Sequence, residues 1–99
     1  MDICRAAAAG TLESSDVQVT IEPGEGEVTL ELNSSVMGQY GRQIRAVVLE
    51  TLTSLGVEAA RVTVVDKGAL DCTIRARTEC AVYRAADYDG PIPWGGGSK

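Results

Sequence analysis

Asp16-Val17-Gln18-Val19-Thr20-Ile21-Glu22, then Pro23-Gly24-Glu25-Gly26, then Glu27-Val28-Thr29-Leu30-Glu31-Leu32 is the stretch whose reading decides the fold class. Val17, Val19 and Ile21 fall on one face of the first run, and Gln18, Thr20 and Glu22 on the other. Val28, Leu30 and Leu32 alternate with Glu27, Thr29 and Glu31 in the second. Period two with β-branched residues describes a half-buried strand. Two such runs around a four-residue Pro/Gly turn predict an antiparallel hairpin.

Outward from the hairpin, Asn33-Ser34-Ser35 supplies N-cap residues for a helix over 36–55, ended by Gly56. Met37, Tyr40, Ile44, Val47, Val48, Leu52 and Leu55 recur at three- and four-residue steps, an apolar stripe that belongs on the hairpin's inner face. Gly38 and Gly41 weaken its first turns, and a close packing approach is one reason for them. Residues 60–66 form a third strand. Val65 makes its outer face less polar than the hairpin's and places it away from the most exposed edge.

After the turn Asp66-Lys67-Gly68, residues 69–86 read as a second helix by length, with Asp71, Arg75 and Glu79 at ion-pair spacing. Leu70, Ile74, Ala81 and Ala85 make one apolar stripe and Ala69, Cys72, Ala76, Cys80 and Tyr83 a second patch. A strand over 70–74 is the alternative. The prediction is an α+β fold, in which a small antiparallel-type sheet (hairpin 16–22/27–32 plus strand 60–66) is packed by helices at 36–55 and 69–86. Residues 1–86 form one domain with a flexible, Ala-rich start, frayed or ordered by a partner. Residues 87–99, with Pro91-Ile92-Pro93-Trp94 and a run of Gly, form an extended tail.

Composition narrows the chemistry. Ninety-nine residues support one core and no cleft between domains. Phe is absent, so the core is aliphatic. The net charge of −5 and the scattered cations argue against nucleic acid and against an acidic membrane surface. No run reaches the roughly 18 apolar residues of a membrane span. Three cysteines, Cys4, Cys72 and Cys80, without paired spacing point to reduced thiols and a cytoplasmic setting. Histidine is missing, which removes Ser-His and Cys-His nucleophile pairs and the commonest zinc ligands. No metal site and no catalytic set are expected. Asp66 and Asp71 read as turn and helix-start residues rather than as an acid–base pair. The acids Glu13, Asp16, Glu22, Glu25, Glu27 and Glu31 read either as a surface that steers basic partners or as a solvated sheet face.

Gly10-Thr11-Leu12-Glu13-Ser14-Ser15-Asp16 joins the Ala-rich start to the first strand and offers two adjacent hydroxyls in a polar loop. With no base at hand, neither is a nucleophile by itself, although either could be an attachment point for a phosphodiester-linked group. By residue type alone the stretch reads as an ordinary polar loop that starts a strand.

Gly10-Thr11-Leu12-Glu13-Ser14 with Asp16 resembles the N-terminal motif of the citrate lyase acyl carrier (gamma chain) family. Asn33-Ser34-Ser35-Val36, Asp66-Lys67-Gly68-Ala69-Leu70-Asp71-Cys72, Arg75-Ala76-Arg77 with Glu79, and Pro93-Trp94 are similar to later stretches of that family in unbroken order. The resemblance implies a non-catalytic carrier with 2′-(5″-phosphoribosyl)-3′-dephospho-coenzyme A, a CoA-like group, joined through a phosphodiester at the Ser14 position. It implies as partners an alpha subunit that exchanges acetyl for citryl, a beta subunit that cleaves the citryl thioester, and enzymes that attach and acetylate the group. Family members often carry Gly after the modified serine. Ser15 stands there in this chain and is the second candidate hydroxyl. The carrier subunit of malonate decarboxylase and an unmodified α+β adaptor are the alternative readings.

Overall fold

A computed structural model describes residues 1–86. Its elements are β1 (Ala7–Gly10), β2 (Val17–Pro23), β3 (Val28–Ser34), α1 (Met37–Ser54), β4 (Ala60–Asp66) and α2 (Asp71–Ala85). The expected α+β class holds, with both helices packed on a four-stranded sheet of order β1-β2-β4-β3. The expected tail at 87–99 lies outside the described residues.

The strands β2 and β3 fall where the alternation places them, but they are not a hairpin. β4 lies between them, antiparallel to β2 and parallel to β3. Pro23 and Val28 flank Ala60 from opposite sides, so residues 24–27 arch over the start of β4. Two strand spacings are about 10 Å, within reach of four extended residues. The arch runs close to the strand it crosses. Ala60 N–H donates to Glu27 O at 3.1 Å, and a Cβ at Gly24 would lie 2.7 Å from the Ala60 backbone. β4 is internal, as Val65 suggests, and β3-α1-β4 is a parallel crossover unit.

The Ala-rich start, expected to be frayed or ordered by a partner, carries a strand of the chain's own sheet. Ala7–Gly10 pairs with Ile21–Gln18, and Ala9 is buried beneath α2. Four alanines are too few to nucleate a helix, whereas β2 offers an open edge and α2 a cover. Cys4 and Arg5 N–H groups both donate to Ala85 O, and the amino terminus donates to Leu55 and Gly56 carbonyls, which ties the first residues to the far end of both helices.

On α1, Ile44, Val47, Val48 and Leu52 of the expected stripe are buried, while Met37 and Tyr40 are half exposed. The helix closes with a two-bond glycine motif: Val57 N–H donates to Leu52 O and Gly56 N–H to Thr53 O. Close packing does not explain Gly38 and Gly41. A Cβ at Gly38 would meet nothing within 4 Å, and the nearest atoms to one at Gly41 belong to the flexible Met37 side chain.

The segment after β4 is helix from Asp71, so the alternative strand over 70–74 is excluded. Ile74, Ala81 and Ala85 enter the core with Thr78 and Val82, but Leu70 is 72% exposed. Of the second patch, Cys80 and Tyr83 are buried and Cys72 is exposed. The row Asp71, Arg75, Glu79 does not pair within the helix. Gln43 of α1 donates to Asp71 at 2.8 Å, Arg75 reaches Glu50 of α1 at 3.4 Å, and Glu79 is buried. Spacing permits i,i+4 pairs, but packing α2 beside α1 offers these side chains other neighbours.

Candidate functional site

The β1–β2 loop, the β3–α1 junction and the β4–α2 turn meet at one end of the sheet, because Gly10 pairs with Gln18, Val17 with Asp66, and Ser34 with Asp66. Both helices start there. The three sequence stretches singled out above, 10–16, 33–36 and 66–72, are therefore one surface.

Gly10 turns the chain out of β1. Its φ is +94°, and a Cβ there would lie 1.8 Å from Val17 O, so only glycine fits. Asp16 then staples the loop. Its carboxylate accepts from the Thr11 hydroxyl (2.6 Å), from Val17 N–H (2.8 Å) and from the Arg77 guanidinium of α2 (3.0 and 3.2 Å). Asp16 N–H donates to Glu13 O and closes a turn over Glu13-Ser14-Ser15-Asp16. Ser15 N–H donates to Lys67 O and Lys67 N–H to Asp16 O, which ties the loop to the β4–α2 turn. The tip carries Ser14 and Ser15, both exposed. Among the described residues neither serine side chain has a hydrogen-bond partner.

The two serines are not equivalent. Ser15 has φ +65°, the one positive-φ residue other than glycine among the described residues. This is the left-handed third position of a turn, which favours Gly or Asn. It explains why Gly suits the place after Ser14. Ser15→Gly is expected to raise stability by about 0.5–1 kcal/mol, the relief of left-handed strain exceeding the entropy cost of glycine. Urea unfolding checks this, and a loss of stability would contradict the left-handed assignment.

The Asp16 carboxyl is held at about 2, below its ordinary 3.8, by the Thr11 hydroxyl first, then the Val17 amide, then Arg77. A carboxylate this acidic, with its oxygens occupied, is no base for Ser14. Because the folded-state pKa is the lower one, its stabilisation is present above about pH 4 and lost as the pH falls toward 2. The Asp16 carboxyl carbon resonance is expected to titrate with a midpoint near 2; a midpoint near the ordinary value would contradict the staple.

Asp66 anchors the neighbouring junctions. It is buried and accepts from the Ser34 hydroxyl (2.8 Å), Gly68 N–H (3.1 Å) and Ala69 N–H (2.9 Å). Its main-chain oxygen accepts from Ser35 N–H. Asp71 is exposed at the start of α2, so the two acids form no catalytic pair. Of the acidic set, Glu13 and Asp16 belong to the loop, whereas Glu22 pairs with Arg61 and lies with Glu25 and Glu27 toward the other end of the sheet. Among the described residues no group of three could hold a metal ion. The sequence reading missed Arg77 as the partner of Asp16 and missed the exposure of Tyr40 and Leu70. Leu70 did carry a signal, since it stands at a helix start where a capping residue is preferred.

The sequence pattern of an acyl carrier family, the malonate decarboxylase delta subunit, matches residues 4–85. The chain belongs to this acyl carrier family. Its relatives include the citrate lyase acyl carrier proteins of Streptococcus mutans (58% identical over 90% of this chain and 88% of the relative) and Lacticaseibacillus casei (56% over 88% and 86%). That of Pectobacterium carotovorum is 53% identical over 88% and 91%. In a crystal structure of a Pseudomonas malonate decarboxylase hetero-tetramer in complex with malonate, one chain superposes with a TM-score of 0.69 at 27% identity, covering 83% of this chain and 84% of that one. Membership of the acyl carrier family makes the chain a carrier rather than a catalyst and implies a CoA-like prosthetic group and catalytic subunits as partners.

Proposed function

We propose that this chain is the acyl carrier subunit of a citrate lyase, and that Ser14 is joined through a phosphodiester to 2′-(5″-phosphoribosyl)-3′-dephospho-coenzyme A. The observation that carries the site is the exposed Ser14 hydroxyl at the tip of a loop stapled at its base, with a left-handed residue behind it. The residues fit the group. An attachment point needs one accessible hydroxyl and no base, because separate enzymes perform the attachment and acetylation. The attached group supplies a terminal thiol on which acetyl and citryl are carried. The chain's own residues position it: Gly10, Thr11, Asp16 and Arg77 hold the base of the loop against α2. Tethering makes the encounter with each catalytic subunit intramolecular, at an effective concentration on the order of mM.

The choice of complex rests on identity, 53–58% to the citrate lyase carriers against 27% to the malonate decarboxylase chain. On this reading the partners are the alpha (transferase) and beta (lyase) subunits, and residues 1–86 are the carrier domain. The setting is the cytoplasm, where the exposed Cys4 and Cys72 thiols remain reduced. Among the described residues no helix is long and apolar enough to cross a membrane. The intact mass of protein made together with the attaching enzymes tests the proposal. It should rise by the mass of one such group, and an unmodified chain under those conditions would refute it.

A further inference from the structure

The exposed large apolar side chains of the described residues, Leu12, Met37, Tyr40 and Leu70, all lie at the Ser14 end. Tyr40 and Leu70 line a groove of about 440 Å³ between the start of α1 and the β4–α2 turn, with Ile44, Gln43, Gly68 and Asp71. Leu70 is unexpected on two counts. It is 72% exposed, and it occupies the N-cap of α2 with extended backbone and no side-chain cap bond. Solvation and capping both favour Ser, Thr, Asp or Asn there, so the fold itself gives no reason for leucine.

The groove is small and of mixed character. Its size suits a small ligand (roughly 300–1,000 Å³), whereas a protein partner needs about 800 Å² per side. Tyr40 offers an aromatic face and Leu70 an aliphatic one. Gln43 Nε2 donates to Asp71 Oδ2, which leaves Gln43 Oε1 and Asp71 Oδ1, on two of the lining residues, as acceptors. A flat heterocycle bearing an amino group matches both features. The groove is tied to the attachment loop through one residue, since Ser15 N–H is bonded to Lys67 O and Gly68 follows in the lining.

We propose that this groove binds the adenosine portion of the chain's own prosthetic group. The inference rests on the carrier reading above. An open groove of this kind holds a free nucleotide weakly, but a tether that supplies millimolar effective concentration is enough to keep it substantially occupied. The purine then packs between Tyr40 and Leu70 with its amino group on the Gln43–Asp71 pair. The linkage to Ser14 and the acyl-bearing end remain free for the catalytic subunits.

Amide NMR of the full chain tests this in two arms. In the first, 3′-dephospho-coenzyme A is titrated into unmodified protein. Shifts are expected at 36–44 and 68–71 with millimolar affinity, weakened about tenfold by Tyr40→Ala and by Leu70→Ser, and pantetheine alone should give none. In the second, the same resonances should differ between modified and unmodified protein, and Leu70→Ser should remove the difference. Leu70→Ser should also raise Tm by a few degrees as a better cap, which separates lost binding from lost folding. No shift with the free probe, shifts confined to residues 13–16 in the modified protein, or shifts that appear only on adding the catalytic subunits would each overturn the inference. Attachment itself, read by mass in the Tyr40→Ala variant, should persist. A chain that is never modified counts instead against the carrier reading.

Discussion

Asp66→Ala should lower the unfolding free energy by about 3 kcal/mol, a large share of what a domain of this size has. The side chain is buried and receives the Ser34 hydroxyl and the Gly68 and Ala69 amides. Removing it leaves three donors without an acceptor, each costing about 1–3 kcal/mol where water cannot replace it. Partial hydration of the turn keeps the total near the lower end. Asp66→Asn keeps one oxygen acceptor and should cost less, about 1–2 kcal/mol. Urea unfolding measures both, and an Asp66→Ala loss below about 0.5 kcal/mol would contradict the anchoring role. The effect should reach the site as well. Lys67 is the next residue and holds the serine loop through two main-chain bonds, so exchange protection of the Ser15 amide should fall in the same variant.

Ser14→Ala should abolish attachment of the prosthetic group completely, while Ser15→Ala should retain it. Both hydroxyls are exposed, so exposure does not choose between them. The expectation rests on backbone geometry: Ser15 lies in the left-handed position with its N–H committed to Lys67 O, so it forms part of the turn's closure. Ser14 stands at the second position of that turn, free of such duty. Neither substitution removes a side-chain hydrogen bond present among the described residues, and both variants should fold. Intact mass after production with the attaching enzymes decides the matter. An added mass surviving Ser14→Ala and lost in Ser15→Ala would move the site by one residue.

The positions of the elements were legible from the sequence because periodicity reports which face of a segment is buried. Val17, Val19, Ile21, Val62 and Val64 are all core residues, as their alternation requires. Alternation is silent about which strand is the neighbour. The turn at 23–26 looked like a hairpin because a four-residue connection can also arch over one intervening strand, and only Ala60 and Glu27 in register reveal it. The short strand Ala7–Gly10 was hidden because its stability comes from β2 and α2, not from its own residues. At the candidate site, Ser14 is singled out by motif alone, whereas the Asp16–Arg77 contact joins residues 61 apart in sequence and needed the fold. The row of charges on α2 misled for the same reason: the partners of Asp71 and Arg75 lie on α1.

Reconstitution tests the central claim most directly. Carrier bearing the acetylated group, mixed with citrate lyase alpha and beta subunits, should restore cleavage of citrate to oxaloacetate and acetate. Unmodified carrier and Ser14→Ala should restore none, and malonate decarboxylase subunits should gain no activity from any of them. Citrate cleavage supported equally by the unmodified chain, or malonate decarboxylation restored in place of citrate cleavage, would contradict it.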